Sequence, residues 1–390
     1  MDIRQFFKIK VFILIFIFAL IGSFYLAHRI YKQNQIESFH TFFKEEEKIA
    51  QDVFKNLSNE PKPEMDLEKK KIKVLVVEGG GVKGLYAIRV LDYLEKKTGK
   101  PISELYDVMG GTSIGSMIVS LLSVPEKGKP KYSAEDLITL FPPAAQKTLV
   151  PSFKQKILSG FSLLSPIVNN QKFIHLLRTY FGDIPISKAL NHLVLFGYNF
   201  STTKIQAFHN RGDYLDSANP LLYQILGGTT AFFGIIPPNK VLLSPYYSPQ
   251  FIGDAALAHG NPVEPMMLDV IKMYPDKKFI VTYIAMSPRK LGDTVNFPFF
   301  SGQIKALSMA NALINTADNE LVRESMNSLD NVFKFDLLLE IRINQNNEWA
   351  KMNSFDFSFE NFQRVDEFSK LMLQQNKETL DLVAEELLRD

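Results

Sequence analysis

The sequence predicts an α/β domain on a mostly parallel central sheet, and three observations predict it. From residue 72 onward, short apolar runs alternate with stretches of helical periodicity. The runs are continuous rather than alternating in polarity, as expected of strands buried on both faces. Two of them end in glycine turns that open directly into a helix, the geometry of a strand feeding a helix N-terminus. With 390 residues, 46% of them hydrophobic and 22% charged, the chain can build one large domain or two small ones.

At the N-terminus, residues 11–27, VFILIFIFALIGSFYLA, are uncharged and follow Arg4, Lys8 and Lys10. As a helix they rise about 25 Å, slightly less than the roughly 30 Å of a hydrocarbon core, and Lys10 and Arg29 can snorkel at the two ends. Residues 1–31 are therefore expected to be a transmembrane helix, a single-pass membrane anchor. A signal segment cleaved on secretion and a buried core helix are the alternatives. The slightly more basic leading flank favours an N-terminus inside and a body across the membrane. Residues 28–55 read as an exposed helix with an acidic patch, and residues 56–71, with two prolines and many charges, as a linker. The expected division is an anchor or signal at 1–31, a charged helix and linker at 32–71, and the body at 72–390, with a core at 72–287 and a helical extension beyond.

Within the body, Val74 to Val77 forms a β-branched run, and Leu85, Ile88, Leu91 and Leu94 share one helical face. YDVMGGTSIGSMIVSLLS gives a second strand, turn and helix. HLVLFGYNF, KIQAFHN, PQFIGDA and KKFIVTYIAMS read as strands. Residues 125–190 look like an insertion, richer in helix, over one end of the sheet. Residues 303–327 are expected to be helical, 332–341 a strand, and a terminal helix to begin near Asn361.

Composition narrows the chemistry. A net charge of +2 without a clustered basic face argues against nucleic acid. The absence of cysteine removes thiol nucleophiles, disulfides and thiolate metal sites. No metal-binding motif is present, and no cofactor is expected. Nothing in the sequence speaks to oligomeric state.

Gly79, Gly81 and Gly84 satisfy G-x-G-x-x-G between a strand and a helix, the context of a dinucleotide fingerprint. That fingerprint also needs an acidic residue at the end of the next strand, and this strand ends in glycines instead. The second turn decides more. Gly111-Thr112-Ser113-Ile114-Gly115 is G-x-S-x-G between strand and helix, the setting that lifts a serine hydroxyl out of a strand end. If Ser113 attacks an ester carbonyl, the oxyanion needs preorganised donors. The N–H groups of Gly79, Gly80 and Gly81 supply them, with the helix starting near Gly84 adding its positive end. The usual late histidine base is missing: none of the six histidines lies in the last 130 residues. The base is therefore sought among the carboxylates.

These residues resemble those of the patatin-like phospholipases, serine lipid acyl hydrolases with a Ser–Asp dyad and a three-layer α/β domain. The glycine block resembles EGGGVKG at 78–84, with Glu78 where Asp is commoner and Lys83 at the basic position. The elbow resembles GTSIGS at 111–116. Further blocks resemble NFSTTKIQAFHN at 199–210 and GGTTAFFGIIPP at 227–238, and GDAALAHGNP brings Asp254 to the place of the catalytic Asp. The resemblance implies Ser113 as nucleophile, Asp254 as base, and Gly79, Gly80 and Gly81 as oxyanion hole, with Lys83, Gly84, Gly111 and Gly115 in support. It implies phospholipid or other acyl-ester substrates met at a membrane surface, and no cofactor. Two departures stand out: the third block lacks an Ala-Pro pair, and Ala255 follows Asp254 where the family has glycine, which strains the backbone if that position needs positive φ.

Alternatives stand beside several of these roles. Asp254 is otherwise a turn carboxylate capping the next helix, and a catalytically weak lipid-binding relative is the alternative for the whole chain. Lys83 either draws a lipid phosphate or packs its stem on the helix, and His259 reads as a loop-facing structural histidine. Phe355, Phe357 and Phe359 alternate like a strand face and read as core, with a lipid groove as the alternative. The Phe-rich stretch at 153–168 is a lid or an interfacial surface, or else ordinary packing.

Overall fold

The computed structural model describes residues 3–57, 63, 68–150, 168, 170–212, 214–232, 235–257, 262–286, 337–342, 349 and 352–389. The expected helix at 303–327, His259, and all but Val168 of the Phe-rich stretch lie outside the described residues.

Helix α1 (Ile3–Leu57) is followed by β1 (Lys71–Val77), α2 (Gly84–Thr98), β2 (Val108–Thr112) and α3 (Ile114–Leu121). Two helices, α4 (Ala134–Leu149) and α5 (Asn170–Phe181), occupy the insertion, and the antiparallel pair β3 (His192–Asn199) and β4 (Lys204–His209) comes next. Then follow α6 (Leu222–Thr229), β5 (Asn239–Val241), β6 (Gln250–Asp254), α7 (Val263–Met273), β7 (Lys278–Ala285) and β8 (Leu337–Arg342). Two C-terminal helices, α8 (Phe359–Gln375) and α9 (Lys377–Leu388), end the order.

The sheet order is β8-β7-β1-β2-β3-β6-β5, with β4 also on β3. The first five of these strands are parallel, and β4, β5 and β6 run antiparallel to their neighbours. Alternate residues of the same strand reach opposite cores. Leu75, Val77, Met109 and Leu195 face the larger one beneath α2 and the C-terminal helices, while Val74, Val76, Val108 and Val194 face Met266, Met267 and Val270 of α7. This makes a three-layer sandwich with a mostly parallel sheet, and it explains why the strands read as unbroken apolar runs.

The N-terminus departs from expectation. Among the described residues no helix is long and apolar enough to cross a membrane, so the single-pass transmembrane anchor expected at residues 11–27, and the membrane localisation drawn from it, do not stand. That segment belongs to a helix of 55 residues, about 80 Å long, far more than a bilayer needs. The helix continues unbroken into a charged half, which docks on the body rather than facing solvent throughout. Phe42, Phe43, Ala50 and Phe54 are buried there, and the Phe42 ring meets His175 at 5.3 Å. Glu46 is buried too, accepting hydrogen bonds from the Tyr223 hydroxyl and, at 3.0 Å, from Gln224 Nε2 of α6.

Phe355, Phe357 and Phe359 do not form a strand. The first two lie before α8, and Phe359, 60% exposed, is its first residue, with the Ser358 hydroxyl accepting from the Asn361 N–H as the cap. Of the strand expected at 332–341, residues 337–341 belong to β8, and 332–336 lie outside the described residues.

Candidate active site

Strand pairing brings the two key residues to one place. β2 runs parallel to β3 and ends with Thr112 opposite Phe196, while β6 runs antiparallel to β3 and ends with Asp254 opposite Gly197. Because β4 fills the other edge of β3 over residues 194–199, β2 and β6 share one edge and point at each other head to head. Ser113 and Asp254 sit at the point where they meet.

Ser113 occupies the turn between β2 and α3 with φ 52 and ψ −128, one of four described non-glycine residues with positive φ. Such a conformation costs roughly 1–3 kcal/mol and persists only where the surroundings impose it. The surroundings are tight. A Cβ at Gly111 would stand 2.2 Å from the Val77 carbonyl oxygen, and one at Gly115 only 2.1 Å from the same atom. The two glycines thus let the elbow settle directly onto the end of β1, and the Ser116 hydroxyl secures it with a 2.6 Å bond to the Gly111 carbonyl.

Asp254 is completely buried. One carboxylate oxygen accepts the Ala256 N–H at 2.9 Å, and the Asp254 N–H donates to the Ala231 carbonyl at 3.1 Å. Burial pushes its pKa up to about 6, with the Ser113 hydroxyl and the Ala256 N–H acting in the opposite direction. Asp254 Oδ2 is buried with no hydrogen-bond partner among the described residues. Ala255 opens a short 3-10 turn and is not among the residues with positive φ, so the strain considered for it does not arise.

The glycine turn follows β1. A Cβ at Gly79 would stand 3.1 Å from the Ser113 Cβ, which puts this backbone beside the hydroxyl. Gly81 has φ +57, and a Cβ there would be 2.0 Å from the Ser354 carbonyl oxygen. The Val82 N–H is committed to that carbonyl at 2.9 Å and the Lys83 N–H to the Gly80 carbonyl at 3.1 Å. Among the described residues, the N–H groups of Gly79, Gly80 and Gly81 meet no backbone acceptor. Gly84 brings the start of α2 against Ile114, whose Cγ1 would be 2.6 Å from a Cβ there.

Lys83 is buried. Its ammonium sits 5.3 Å over the Trp349 ring, and its pKa is lowered to about 8 by burial, with Glu78 opposing the shift. It does not line the cavity that opens at Ser113.

That cavity, of about 90 Å³, was not anticipated from the sequence. By the same measure a single water needs roughly 10–15 Å³, so a length of acyl chain fits. Among the described residues its walls are almost wholly apolar and carry no charged side chain: Met117 of α3, Leu137 and Phe141 of α4, Phe173 of α5, then Phe232 and Phe355. The rings of Phe232 and Phe355 lie 4.4 Å apart. A signal for it was present, since Leu137, Phe141, Ala144 and Thr148 recur at helical spacing along α4. Phe355 and Phe357, read as core, are both buried or half-buried and line the cavity.

Residues 75–267 match the family model described as patatin-like phospholipase, and the chain carries a domain of that family over this stretch. It is 30% identical over 179 residues to Patatin-like protein 2 of Oryza sativa subsp. indica, covering 42% of this chain and 43% of that protein. It is 26% identical over 185 residues to Patatin-like protein 1 of Arabidopsis thaliana, 43% of each. It is also 24% identical over 213 residues to Probable inactive patatin-3-Kuras 1 of Solanum tuberosum, 51% of this chain and 54% of that protein. The chain thus spans about half the length of the curated relatives it matches.

Proposed function

We propose that the protein is a lipid acyl hydrolase of the phospholipase A type, working through an acyl-serine intermediate on a Ser113–Asp254 dyad. One observation above all carries this reading: a strained serine hydroxyl next to a fully buried carboxylate, at an apolar cavity with room for an acyl chain. Asp254 takes the proton from Ser113 Oγ as that oxygen bonds to the ester carbonyl carbon. The carbonyl π electrons move to oxygen, and the N–H groups of Gly79, Gly80 and Gly81 stabilise the negative charge. When the intermediate collapses, the ester C–O bond breaks and Asp254 returns the proton to the departing alcohol. Water then repeats the sequence with the same base, releasing the fatty acid and restoring Ser113.

A carboxylate serves here because burial makes it more basic than an exposed Asp while leaving it ionised at neutral pH. The uncharged cavity suits the acyl tail, leaving the headgroup outside. Substrates are accordingly acyl-ester lipids, phospholipids among them, met at a lipid surface.

A fluorophosphonate probe should label the full chain at Ser113, and labelling should vanish in Ser113→Ala. On a panel of phospholipids, lysophospholipids and neutral acyl esters, the wild type should release free fatty acid and the variant none. Equal release by both would overturn the proposal.

A further inference from the structure

We propose that Trp349 is a positioning residue for the oxyanion turn, acting through Met286 and Glu78; this rests on the reading of Gly79, Gly80 and Gly81 as the oxyanion donors. Successive glycines have no side chains with which to hold a shape, and they lose more conformational freedom on ordering than any other residue. Such a turn presents preorganised donors only if something outside it supplies the restraint.

The restraint comes from distant parts of the chain. The Trp349 indole N–H donates to the Met286 carbonyl at 2.9 Å, and the Met286 N–H donates to the Glu78 carboxylate at the entrance of the turn. The Met286 side chain covers Gly80, with Sδ 3.1 Å from where a Cβ would stand. At the exit of the turn, the Lys83 ammonium lies over the Trp349 ring itself. Both ends are therefore referred to one indole.

That indole is well fixed. It is fully buried, edge-on to Tyr86 at 5.9 Å and stacked on Phe368 at 5.4 Å, so it is wedged between α2 and α8. From the same region the Ser354 carbonyl accepts the Val82 N–H and fills the space beside Gly81. The stretch 75–267 that matches the family model contains the three donors; Met286, Trp349 and Ser354 all lie beyond it.

The test uses the full chain and Trp349→Phe, which keeps an aromatic ring in place and removes the N–H. Hydrogen exchange is followed at the amides of Glu78, Val82, Lys83 and Met286, alongside steady-state turnover of an acyl ester. Exchange at these amides should quicken about threefold or more, as local opening becomes easier. kcat should fall about tenfold with KM within about twofold, because the donors are loosened rather than removed and the full loss of one costs more. Unchanged exchange overturns the proposal, and so does quickened exchange with kcat intact in an active enzyme. Should the wild type hydrolyse no ester, the hydrolase reading fails while exchange still decides whether Trp349 holds the turn.

Discussion

The two glycine turns lie side by side yet are built on opposite principles. The elbow around Ser113 is held by its near neighbours: Gly111 and Gly115 press onto Val77 at the end of the adjacent strand, and Ser116 ties back to Gly111. The turn at residues 79–83 is held by Met286, Trp349 and Ser354, more than two hundred residues away. A shape imposed by local packing travels with its own motif. A shape imposed by remote segments depends on whatever the rest of the chain brings.

The largest effect should come from the chemistry the turns share. Asp254→Asn should lower kcat about 10³-fold or more, since the pair acts as a unit, while leaving the fold intact. The variant should also be the more stable protein at pH 8. The folded-state pKa of Asp254 is raised from 3.8 to about 6, so ionisation opposes folding as pH climbs through that interval. Asn removes this cost, a gain of about 3 kcal/mol at most above pH 6 that disappears below pH 4. Thermal melts at pH 4 and pH 8 check both the sign and the window.

Next come the glycines, which test the comparison itself. Gly115→Ala should destabilise the whole domain by about 3 kcal/mol or more, because its Cβ collides with strand backbone in the core. In Gly81→Ala the collision is with the Ser354 carbonyl, so the expected result is lost turnover with a smaller drop in stability, near 1–2 kcal/mol. Urea unfolding of both variants would break the contrast if they proved equally destabilised.

A smaller effect is the pH profile of the wild type. Catalysis needs the ionised carboxylate, so kcat/KM should rise about tenfold per pH unit below about 6 and level off above it. A profile flat from pH 4.5 to 8 would remove Asp254 as the base. Smallest of all is Ala255→Gly. With no left-handed backbone to relieve, it should leave kcat unchanged and alter stability by less than about 1 kcal/mol.

Ser113 and its glycines were legible because an elbow demands particular residues at fixed spacing, and the α/β layering because strands buried on both faces write continuous apolar runs. Asp254 entered only through resemblance, since no local pattern says which carboxylate will face a serine 141 positions earlier. The apolar segment at residues 11–27 misled for a related reason. Its length matched a bilayer, but the helix continues to Leu57 and seats Phe42, Glu46 and Phe54 on the body. Phe355 and Phe357 are buried or half-buried as read, but their strand-like alternation misled, because alternation over five residues does not separate a strand from a loop that dips into a cavity.

By itself, then, the sequence determined what short-range sterics and periodicity encode: which runs pair into a sheet, where the backbone must cramp, and which hydroxyl that cramping exposes. Tertiary structure alone decided the rest. It set β2 and β6 end to end on one edge of β3, closed an apolar cavity over their junction, and braced the first glycine turn from the far end of the chain. These features come from contacts between residues distant in sequence, whose partners are chosen by the packing of whole elements.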